Sequence, residues 1–402
     1  MKVLGIICEY NPFHNGHLYH LEASKKASKT DYTVCVMSGN FVQRGETSLI
    51  DKWTKTKMAL SNGIDLVIEL PNIYAISSAE NFAYGAVKIL ESLGIVDTLS
   101  FGSECGDIKA LSKIADLLYL EPEDYKKLLT MELQKGLSFP NARENAISNY
   151  FNNPGISDLV SKSNNILGIE YLKALKKLNS NINPMTIIRK SVDYNEKNIN
   201  GNFASATGIR EIIKNNGVEA IKRVVPLNVY NLLEKSEFIY DINSFEKEIV
   251  YALRKMSITE IKNLPDVSEG LENSIKTAVN NSNNLQEIID KIKSKRYTQT
   301  RIQRIMLYAL LGISKEDLKN SINMNPYIRI LGMNSDGKKL LSKISSNINV
   351  ITSVKKFLDE STVSTKLKNM LEKDILSSNI YTLAYSNNSV CNLDYTKKII
   401  EL

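Results

Sequence analysis

The sequence has few residues that could form covalent crosslinks or thiolate metal sites. Its four cysteines, Cys8, Cys35, Cys105 and Cys391, are far apart in the chain. They form no C-x-x-C pair and none of the ligand spacings of a zinc site. We therefore expect four reduced, buried thiols and no metal ion held by the protein.

Long apolar runs are also missing. The apolar segment 3–7 is five residues long, and Glu9 interrupts it soon afterwards. A signal-peptide core or a membrane span needs a longer run, so we expect a cytoplasmic protein that does not bind membranes. The composition, 43% hydrophobic and 24% charged, is typical of folded soluble proteins. The net charge of +7 permits a nucleic-acid partner without requiring one.

The first half of the chain alternates apolar runs with helix-like segments. The runs at 3–8, 32–37, 65–70 and 97–101 are typical of buried parallel strands, and helices are predicted at 17–27, 54–62 and 79–93. This alternation predicts a doubly wound α/β sheet, which binds ligands at the carboxyl ends of its strands. The loop after the first strand is therefore the first place to look for a site.

The remaining segments predict two domains in the 402-residue chain. The first, 1–225, contains a helical insertion at about 107–178, then a strand at 185–189 and a helix at 207–214. The second, 226–402, is predicted to be mainly helical, with a small α/β unit formed by a strand at 327–331, a helix at 337–344 and a strand at 350–354.

The loop after the first strand contains every histidine of the protein, namely His14, His17 and His20. Asn11 and Pro12 fit a turn, because proline fixes its own φ and disfavours helix in the preceding residue. Gly16 allows a close backbone approach where the next helix begins. Since a helix start exposes unpaired N–H groups, it attracts phosphate.

His14 and His17 are three residues apart at this predicted helix start, so both could donate hydrogen bonds to one anionic group. Such donors stabilise the charge that develops on phosphate oxygens during nucleotidyl transfer. Two alternatives remain open: polar residues that only cap a helix, or a metal site built from His14, His17 and His20. The metal site is the weaker alternative, because no thiolate ligand lies nearby in the sequence.

These residues resemble a known family. His14-Asn-Gly-His17 matches the H-x-G-H signature of the nucleotidyltransferase superfamily. Three longer strings resemble the bacterial tRNA(Met) cytidine acetate ligase family: the loop 9–20, the segment 37–46 with Met-Ser-Gly-Asn-Phe and Gln-Arg-Gly-Glu, and the segment 51–60 with Asp-Lys-Trp-Thr and Lys-Met-Ala-Leu. The combined strings are far more specific than H-x-G-H alone.

The resemblance implies an enzyme that activates acetate with ATP to acetyl-AMP and acetylates N4 of the wobble cytidine (C34) of elongator tRNA(Met). Mg²⁺ is expected to assist. It implies His14 and His17 as catalytic residues and an ATP site made of Ile7, Cys8, Glu9, Tyr10, Asn11, Pro12, Phe13, His14, Asn15, Gly16, His17, Leu18, Tyr19, His20, Gly102, Asn164 and Arg189. Asn165 competes with Asn164 for its place.

A second superfamily signature, usually I-S-S-T-x-I-R, is similar to Ser205-Ala-Thr207-Gly-Ile-Arg210. Ala204 and Ala206 depart from it, but Ser205, Thr207 and Arg210 keep the groups that could contact phosphate. Gly102, at a strand end, is either a close-approach position for the nucleotide or a turn glycine. Arg189 fits a phosphate contact better than a solvated cap once the resemblance is considered. Lys52, Lys55 and Lys57 either add positive charge to the site or form a solvated face.

A basic segment in the second half is the best candidate for an RNA surface. If a helix begins near Tyr297, then Tyr297, Arg301, Arg304 and Tyr308 share one face and Ile302, Ile305 and Met306 the other. Arginine and tyrosine suit phosphate contact and stacking on unpaired bases. Lys295 and Arg296 extend the charge. A solvated face on a core helix is the alternative.

Two other functions stay open at this point. A small-molecule adenylyltransferase would use the same H-x-G-H loop without RNA, but it would leave the basic second half unexplained. A noncatalytic RNA-binding protein could retain the nucleotide pocket and lack ATP turnover.

Overall fold

The computed structural model describes residues 1–153, 155–190, 201–268, 270–345, 348–386 and 390–402. The strands in this part of the chain are β1 Val3–Cys8, β2 Tyr32–Ser38, β3 Phe41–Val42, β4 Glu46–Thr47, β5 Leu66–Leu70, β6 Thr98–Ser103, β7 Asn183–Ile188, β8 Ile328–Met333, β9 Val350–Ile351 and β10 Ile400–Glu401.

Helices surround the sheet and form most of the second half. In the first half they are α1 Asn15–Ser28, α2 Lys52–Ser61, α3 Asn72–Ala75, α4 Ala79–Ser92, α5 Ile108–Leu120, α6 Glu123–Gln134, α7 Phe139–Phe151, α8 Ile156–Ser161, α9 Ser163–Lys177 and α10 Ala206–Asn216. In the second half they are α11 Leu227–Leu233, α12 Glu246–Lys255, α13 Ile258–Lys262, α14 Leu271–Asn280, α15 Leu285–Ile292, α16 Gln299–Leu311, α17 Lys315–Asn323, α18 Ser335–Leu341, α19 Val354–Asp359, α20 Thr365–Tyr381 and α21 Leu393–Thr396.

The main sheet has the order β10-β8-β5-β2-β1-β6-β7, and β9 pairs with β8. Strands β5, β2, β1, β6 and β7 run parallel, which confirms the predicted α/β class. The chain leaves β1 toward β2 and later returns to the other side of β1 as β6. This reversal of direction opens a crevice at the carboxyl ends of β1 and β6, where doubly wound folds bind ligands.

Both faces of the sheet are covered by apolar side chains. In β2, Val34 and Val36 belong to one buried cluster, which includes side chains of α4. Cys35 and Met37, which point the other way, belong to a second cluster with side chains of α1, α2 and α10. This alternation explains why the strands are almost continuously apolar, because each residue faces a packed layer.

The strand, helix and strand predicted from residue 327 onward do not form a separate small unit. The first strand, β8, pairs antiparallel with β5 and so extends the main sheet. All six residues of β8 are buried, which is possible only where both faces are covered. The sequence pattern could not reveal this pairing, because the partner strand lies far away in the chain. The domain boundary near residue 225 stays a prediction; Val229 and Leu233 of α11 pack in the second cluster beside α2.

The cysteines are free, as predicted, but they are not uniformly buried. Cys35 is buried, Cys8 and Cys105 are half-buried, and Cys391 is exposed. The prediction of burial was wrong for Cys391, because it lies in a polar segment rich in serine and asparagine before α21. In the described part of the chain no helix is both long enough and apolar enough to cross a membrane.

Candidate active site

Buried side chains fix the conformation of the loop between β1 and α1. Asn11 donates from Nδ2 to Thr47 O at 3.2 Å and accepts at Oδ1 from Leu49 N at 2.7 Å. The Asn11–Pro12 peptide is cis, and Tyr10 has a φ of 45°. Phe13 is fully buried and packs edge-on against Tyr10 at 4.7 Å between ring centroids. These contacts fix the backbone that presents the histidines.

His14 and His17 form a stacked pair, with ring centroids 3.7 Å apart and planes inclined by 26°. His14 Nδ1 accepts a hydrogen bond from Gly16 N at 3.0 Å, and His17 Nδ1 accepts one from His14 N at 3.3 Å. Each ring therefore carries its proton on Nε2. The pair offers two Nε2–H donors to the cavity that both residues line.

Gly16 makes this arrangement possible. A Cβ atom on Gly16 would lie 2.8 Å from Cε1 and 2.9 Å from Nδ1 of His14. The close approach lets the Gly16 N–H reach the His14 ring while α1 begins at Asn15. We predicted that this glycine allows a ligand to approach the backbone. In the structure the backbone of Gly16 approaches the imidazole ring of His14.

Burial keeps the three imidazoles neutral. Loss of solvent, followed by the positive charge of Arg189, lowers the pKa of His14 to about 3. The pKa of His17 is lowered well below its usual value, first by burial and then by His14 and Arg189. Burial and Arg189 lower the pKa of His20 to about 4. Neutral rings donate hydrogen bonds to phosphate oxygens without adding a full charge.

The cavity in front of this pair has a volume of about 250 Å³. Residues of the predicted ATP loop that line it are Ile7, Cys8, Glu9, Tyr10, Asn11, His14, Gly16, His17, Tyr19 and His20. Pro12, Phe13, Asn15 and Leu18 are not among its lining residues. Phe13 packs beneath the loop, and Asn15 donates from Nδ2 to Asn202 O and Arg223 O, so both support the loop.

On the β6–β7 side, the cavity is lined by Gly102, Asn164 and Arg189. Arg189 NH1 donates to Asn164 Oδ1 at 3.2 Å, and the Arg189 side chain lies over Gly102, whose added Cβ would meet Cγ at 3.1 Å. Burial lowers the pKa of Arg189, which Glu104 partly offsets, and the guanidinium remains charged. It is a suitable partner for phosphate.

The neighbouring asparagines have different surroundings. Asn164 lines the cavity, and its Nδ2 donates to Glu104 Oε1 at 2.7 Å. Asn165 is buried, and its Oδ1 accepts from Glu104 N at 3.0 Å and Cys105 N at 3.3 Å. The geometry therefore favours Asn164 as the nucleotide contact and gives Asn165 the task of shaping the loop after β6.

The start of α10 closes the cavity from another side. Ser205 caps the helix by accepting from Gly208 N at 3.0 Å, and Thr207 and Arg210 line the cavity. Arg210 donates to Asn11 O at 2.9 Å and to Glu46 Oε2 at 3.0 Å. A helix N-terminus with an arginine on its first turns suits an anionic ligand, which agrees with the predicted phosphate contacts.

Sequence reasoning missed part of the lining. Phe82 of α4, Phe101 of β6 and Leu167 and Tyr171 of α9 reach the cavity and provide its apolar wall. Their apolar spacing indicates only core positions, so no local signal distinguishes them. In the described residues, no group of three or more histidine, cysteine, aspartate or glutamate side chains could hold a metal ion.

The basic residues of α2 do not form a solvated face. Lys52 and Lys55 are completely buried, whereas Lys57 is exposed. Lys55 Nζ donates to the carbonyl oxygens of Glu9, Ser38 and Gly39 at 2.7–3.0 Å. Burial lowers the pKa of Lys55 to about 8, and the negative charge of Glu9 partly opposes this shift. Lys55 thus ties the loop after β1 to the loop after β2.

The candidate RNA helix, α16, begins at Gln299 with Thr298 as its cap. Arg301 and Arg304 both hold Asp266: Arg301 NH2 donates to Asp266 O at 2.7 Å, and Arg304 Nε donates to Asp266 Oδ2 at 2.6 Å. The prediction that Tyr308 shares the outer face was wrong. Tyr308 is buried, and its hydroxyl group donates to Ser77 Oγ at 3.3 Å in the core. Lys295 and Arg296 are exposed just before the helix.

A parallel sheet with an H-x-G-H loop at its switch point defines a nucleotidyltransferase. The family model HIGH Nucleotidyl Transferase matches residues 1–395. Proteins named tRNA(Met) cytidine acetate ligase are similar over the whole length of both chains, at 48% identity in Thermoanaerobacter sp. (strain X514) and 47% in Caldanaerobacter subterraneus subsp. tengcongensis. The chain belongs to this family of tRNA(Met) cytidine acetate ligases, and the predicted resemblance is confirmed.

Solved structures agree with this assignment. Thermotoga maritima TmcAL bound with alpha-thio ATP is 34% identical and superposes with a TM-score of 0.91, covering 100% of this chain and 99% of that one. The apo form I of the same protein gives a TM-score of 0.94 at 34% identity with both chains fully covered. The whole fold is therefore shared with a protein that binds an ATP analogue.

Proposed function

We propose that this protein is an ATP-dependent ligase that activates acetate as acetyl-AMP and acetylates N4 of the wobble cytidine of elongator tRNA(Met). The identity of acid and RNA rests on the name shared by full-length relatives. The chemistry rests on one observation, the stacked His14 and His17 whose Nδ1 atoms are already bonded and whose Nε2–H groups remain for a ligand. Because the substrate is tRNA, we propose a cytoplasmic location.

In the first step an acetate oxygen attacks the α-phosphorus of ATP. A new O–P bond forms, the bond to the β-phosphate oxygen breaks, and pyrophosphate leaves with that electron pair. His14 and His17 donate to the phosphate oxygens as charge develops on them. We propose that the triphosphate lies between Arg189 on the β6–β7 side and Arg210 with the start of α10, because both arginines line the cavity.

Mg²⁺ fits this site as a companion of ATP. Glu9 and Glu46 line the cavity, and each has one carboxylate oxygen that accepts a hydrogen bond, from Gln43 N and from Arg210 respectively. Mg²⁺ in nucleotide sites usually takes one or two carboxylates together with substrate phosphates and water. The ion would neutralise phosphate charge.

In the second step the N4 amine of cytosine attacks the carbonyl carbon of acetyl-AMP. A C–N bond forms, the C–O bond breaks so that AMP leaves with its electron pair, and the proton lost from N4 is released to solvent. The ring delocalises the amine lone pair, which makes N4 a weak nucleophile and explains the need for a mixed anhydride. The product is N4-acetylcytidine.

Two measurements test the proposal. Acetate-dependent exchange of labelled pyrophosphate into ATP reports the first step, and mass spectrometry of tRNA nucleosides after incubation with ATP and isotopically labelled acetate reports donor and product together. Exchange with no acetylated nucleoside would favour a small-molecule adenylyltransferase. RNA binding without any exchange would favour a noncatalytic protein.

Histidine variants provide the control within the loop. His14→Ala or His17→Ala should lower exchange about 100-fold or more, the effect typical of removing one oxyanion donor, with a smaller effect on ATP affinity. His20→Ala should have a smaller effect on exchange, because His20 Nε2 lies 3.3 Å from Ser100 Oγ, apart from the stacked pair. Equal losses in all three variants would contradict the proposed role of the pair.

A further inference from the structure

The cavity has two halves that belong to different parts of the sheet. Strand β1 lies between β2 on one side and β6 with β7 on the other. The predicted nucleotide contacts Gly102 and Arg189 belong to the β6–β7 half, with Asn164 bonded to Arg189. The segment 42–46, which follows β2, lines the other half. In this β2 half, Glu46 pairs with Arg210 and lies on the side of the triphosphate and Mg²⁺, whereas Gln43 and Arg44 line the cavity and are not among the predicted ATP contacts.

The segment after β2 is a fixed hairpin, which we call the acceptor hairpin (residues 41–47). Phe41 and Val42 pair with Thr47 and Glu46 in an antiparallel ladder. Gln43 N donates to Glu9 Oε1 at 2.8 Å, which attaches the hairpin to the loop that carries the histidines. The acceptor hairpin is therefore firmly connected to the loop that carries His14 and His17. The sequence alone indicated no function for this hairpin.

The tip of the acceptor hairpin lies directly against the backbone of α16. Gly45 has a φ of +73°, and a Cβ atom on it would lie 2.5 Å from Arg304 N and 2.9 Å from Gln303 Cβ. Only glycine fits both this backbone conformation and this contact. The acceptor hairpin therefore contacts the first half of α16, and exposed Lys295 and Arg296 precede that helix in the chain.

We propose that the acceptor hairpin is the entry edge for RNA: an unpaired loop lies along the start of α16 and crosses the hairpin tip, and its target base enters the β2 half of the cavity. Arg44, half-exposed at the tip and lining the cavity, contacts an RNA phosphate there. This inference rests on the proposed function and adds the path of the acceptor.

The chemistry of this surface fits RNA. Arg44 lines the cavity, and Lys295 and Arg296 are exposed before α16, so cationic side chains lie at both ends of the proposed path of the polyanion. A base enters a cavity of this kind only when it is unstacked, as in a loop. Arg44 lies at the cavity end of this path, which makes it the most informative position to change.

The test compares Arg44→Glu with Lys339→Glu, which changes the net charge equally. Lys339 lies on α18. The cap of this helix, Asn334, donates hydrogen bonds to Asp65 just before β5, at the end of the sheet opposite the cavity. Three quantities are measured for each variant: acetate-dependent pyrophosphate exchange, acetyl transfer from labelled acetate to a tRNA(Met) transcript, and transcript affinity at several salt concentrations. Arg44→Lys keeps the charge and serves as the rescue variant.

For Arg44→Glu we expect acetyl transfer to fall at least ten times more than exchange. The tRNA affinity should fall about tenfold, with a shallower salt dependence by about one ion, as for loss of one phosphate contact. Arg44→Lys should recover most of the affinity, and Lys339→Glu should match the wild type. Unchanged tRNA affinity, or equal losses of exchange and transfer, would overturn the inference. A wild-type protein without exchange would instead contradict the proposed function.

Discussion

The Nζ atom of Lys52 lies 2.7 Å from Oδ1 of Asp394, although 342 residues separate the two in the chain. Both side chains are fully buried. Lys52 also contacts Glu69 at 2.7 Å, and Arg329 joins Asp394 to Glu69 from the other side. This ion cluster attaches the C-terminal segment to the start of α2, one turn before Lys55 fixes the loops at the cavity. The end of the chain therefore supports the active site.

Lys52→Met should strongly destabilise the protein. Removal of one partner leaves Glu69 and Asp394 facing each other without sufficient positive charge, a change that costs about 3–5 kcal/mol in buried ion pairs. Urea unfolding measures the free energy of unfolding. Lys57→Met on the exposed face of the same helix is the control, and its effect should stay within about 0.5 kcal/mol. Similar effects of the two substitutions would show that the cluster does not stabilise the fold.

Lys52 also illustrates a limit of sequence reasoning. Three lysines after Asp51 are typical of a solvated face, and Lys57 conforms to that interpretation. Lys52 and Lys55 are buried because their partners, Asp394 and the carbonyl groups after β1 and β2, come from other segments. Local periodicity gives the helix but contains no information about such partners.

Substitution of the two asparagines should separate binding from folding. Asn164→Ala should weaken ATP binding, because Asn164 lines the cavity and positions Arg189 at 3.2 Å. Asn165→Ala should instead lower the stability by about 1 kcal/mol, since the half-buried N–H groups of Glu104 and Cys105 lose their acceptor. Calorimetric titration with ATP and thermal unfolding measure the two effects. If Asn165→Ala caused the greater loss of ATP affinity without loss of stability, the assignment would be reversed.

Gly16→Ala should impair the first step with little change in stability. The added methyl group would meet the His14 ring at 2.8 Å and force it away from His17. We expect exchange to fall by about 100-fold, comparable to the loss of one donor. Gly155→Ala is the matched control, because its Cβ would meet only the Asn153 side chain, at 3.3 Å. Normal exchange in Gly16→Ala would mean that the ring geometry is not required.

The pH dependence of exchange should reflect neutral histidines. The pKa of His14 is about 3 and that of His17 is lowered well below its usual value, so both rings are neutral at pH 6.5 and above. Exchange should therefore not decline as the pH rises through about 6.5, the usual pKa of histidine. If the wild type lost exchange activity above pH 6.5 and the His20→Ala variant did not, the loss would be due to deprotonation of His20. If both proteins lost activity, a charged imidazole would be needed in the His14–His17 pair.

The same residues predict the pH dependence of stability. Between about pH 6.5 and pH 4 the unfolded chain binds protons that the buried imidazoles do not, so stability falls as the pH falls through this window. Urea midpoints at pH 7.5, 6 and 5 measure this slope. His14→Asn should make the slope shallower by up to one proton, whereas an unchanged slope would mean that His14 is protonated in the folded protein.

The candidate site was predictable where it is local in the sequence. His14, Gly16 and His17 are within one turn of each other, and the strand before them is apolar, so their place at a sheet edge follows from the pattern. The acceptor hairpin, Tyr171 and the burial of Tyr308 depend on contacts between distant segments, such as Gly45 with Arg304 and Tyr308 with Ser77. These contacts decide which residues face the cavity, and no periodicity encodes them.

The RNA surface is best tested at the exposed residues before α16. Arg301 and Arg304 bind Asp266, so their reversal would disturb the protein as well as any RNA contact. Lys295 and Arg296 are exposed before α16, and the double variant Lys295→Glu, Arg296→Glu should weaken tRNA binding and reduce its salt dependence by about two ions. Its loss of acetyl transfer at low tRNA concentration should be recovered at high concentration, because the chemical step is untouched. Filter binding at several salt concentrations provides the measurement, and full affinity in the double variant would remove this segment from the interface.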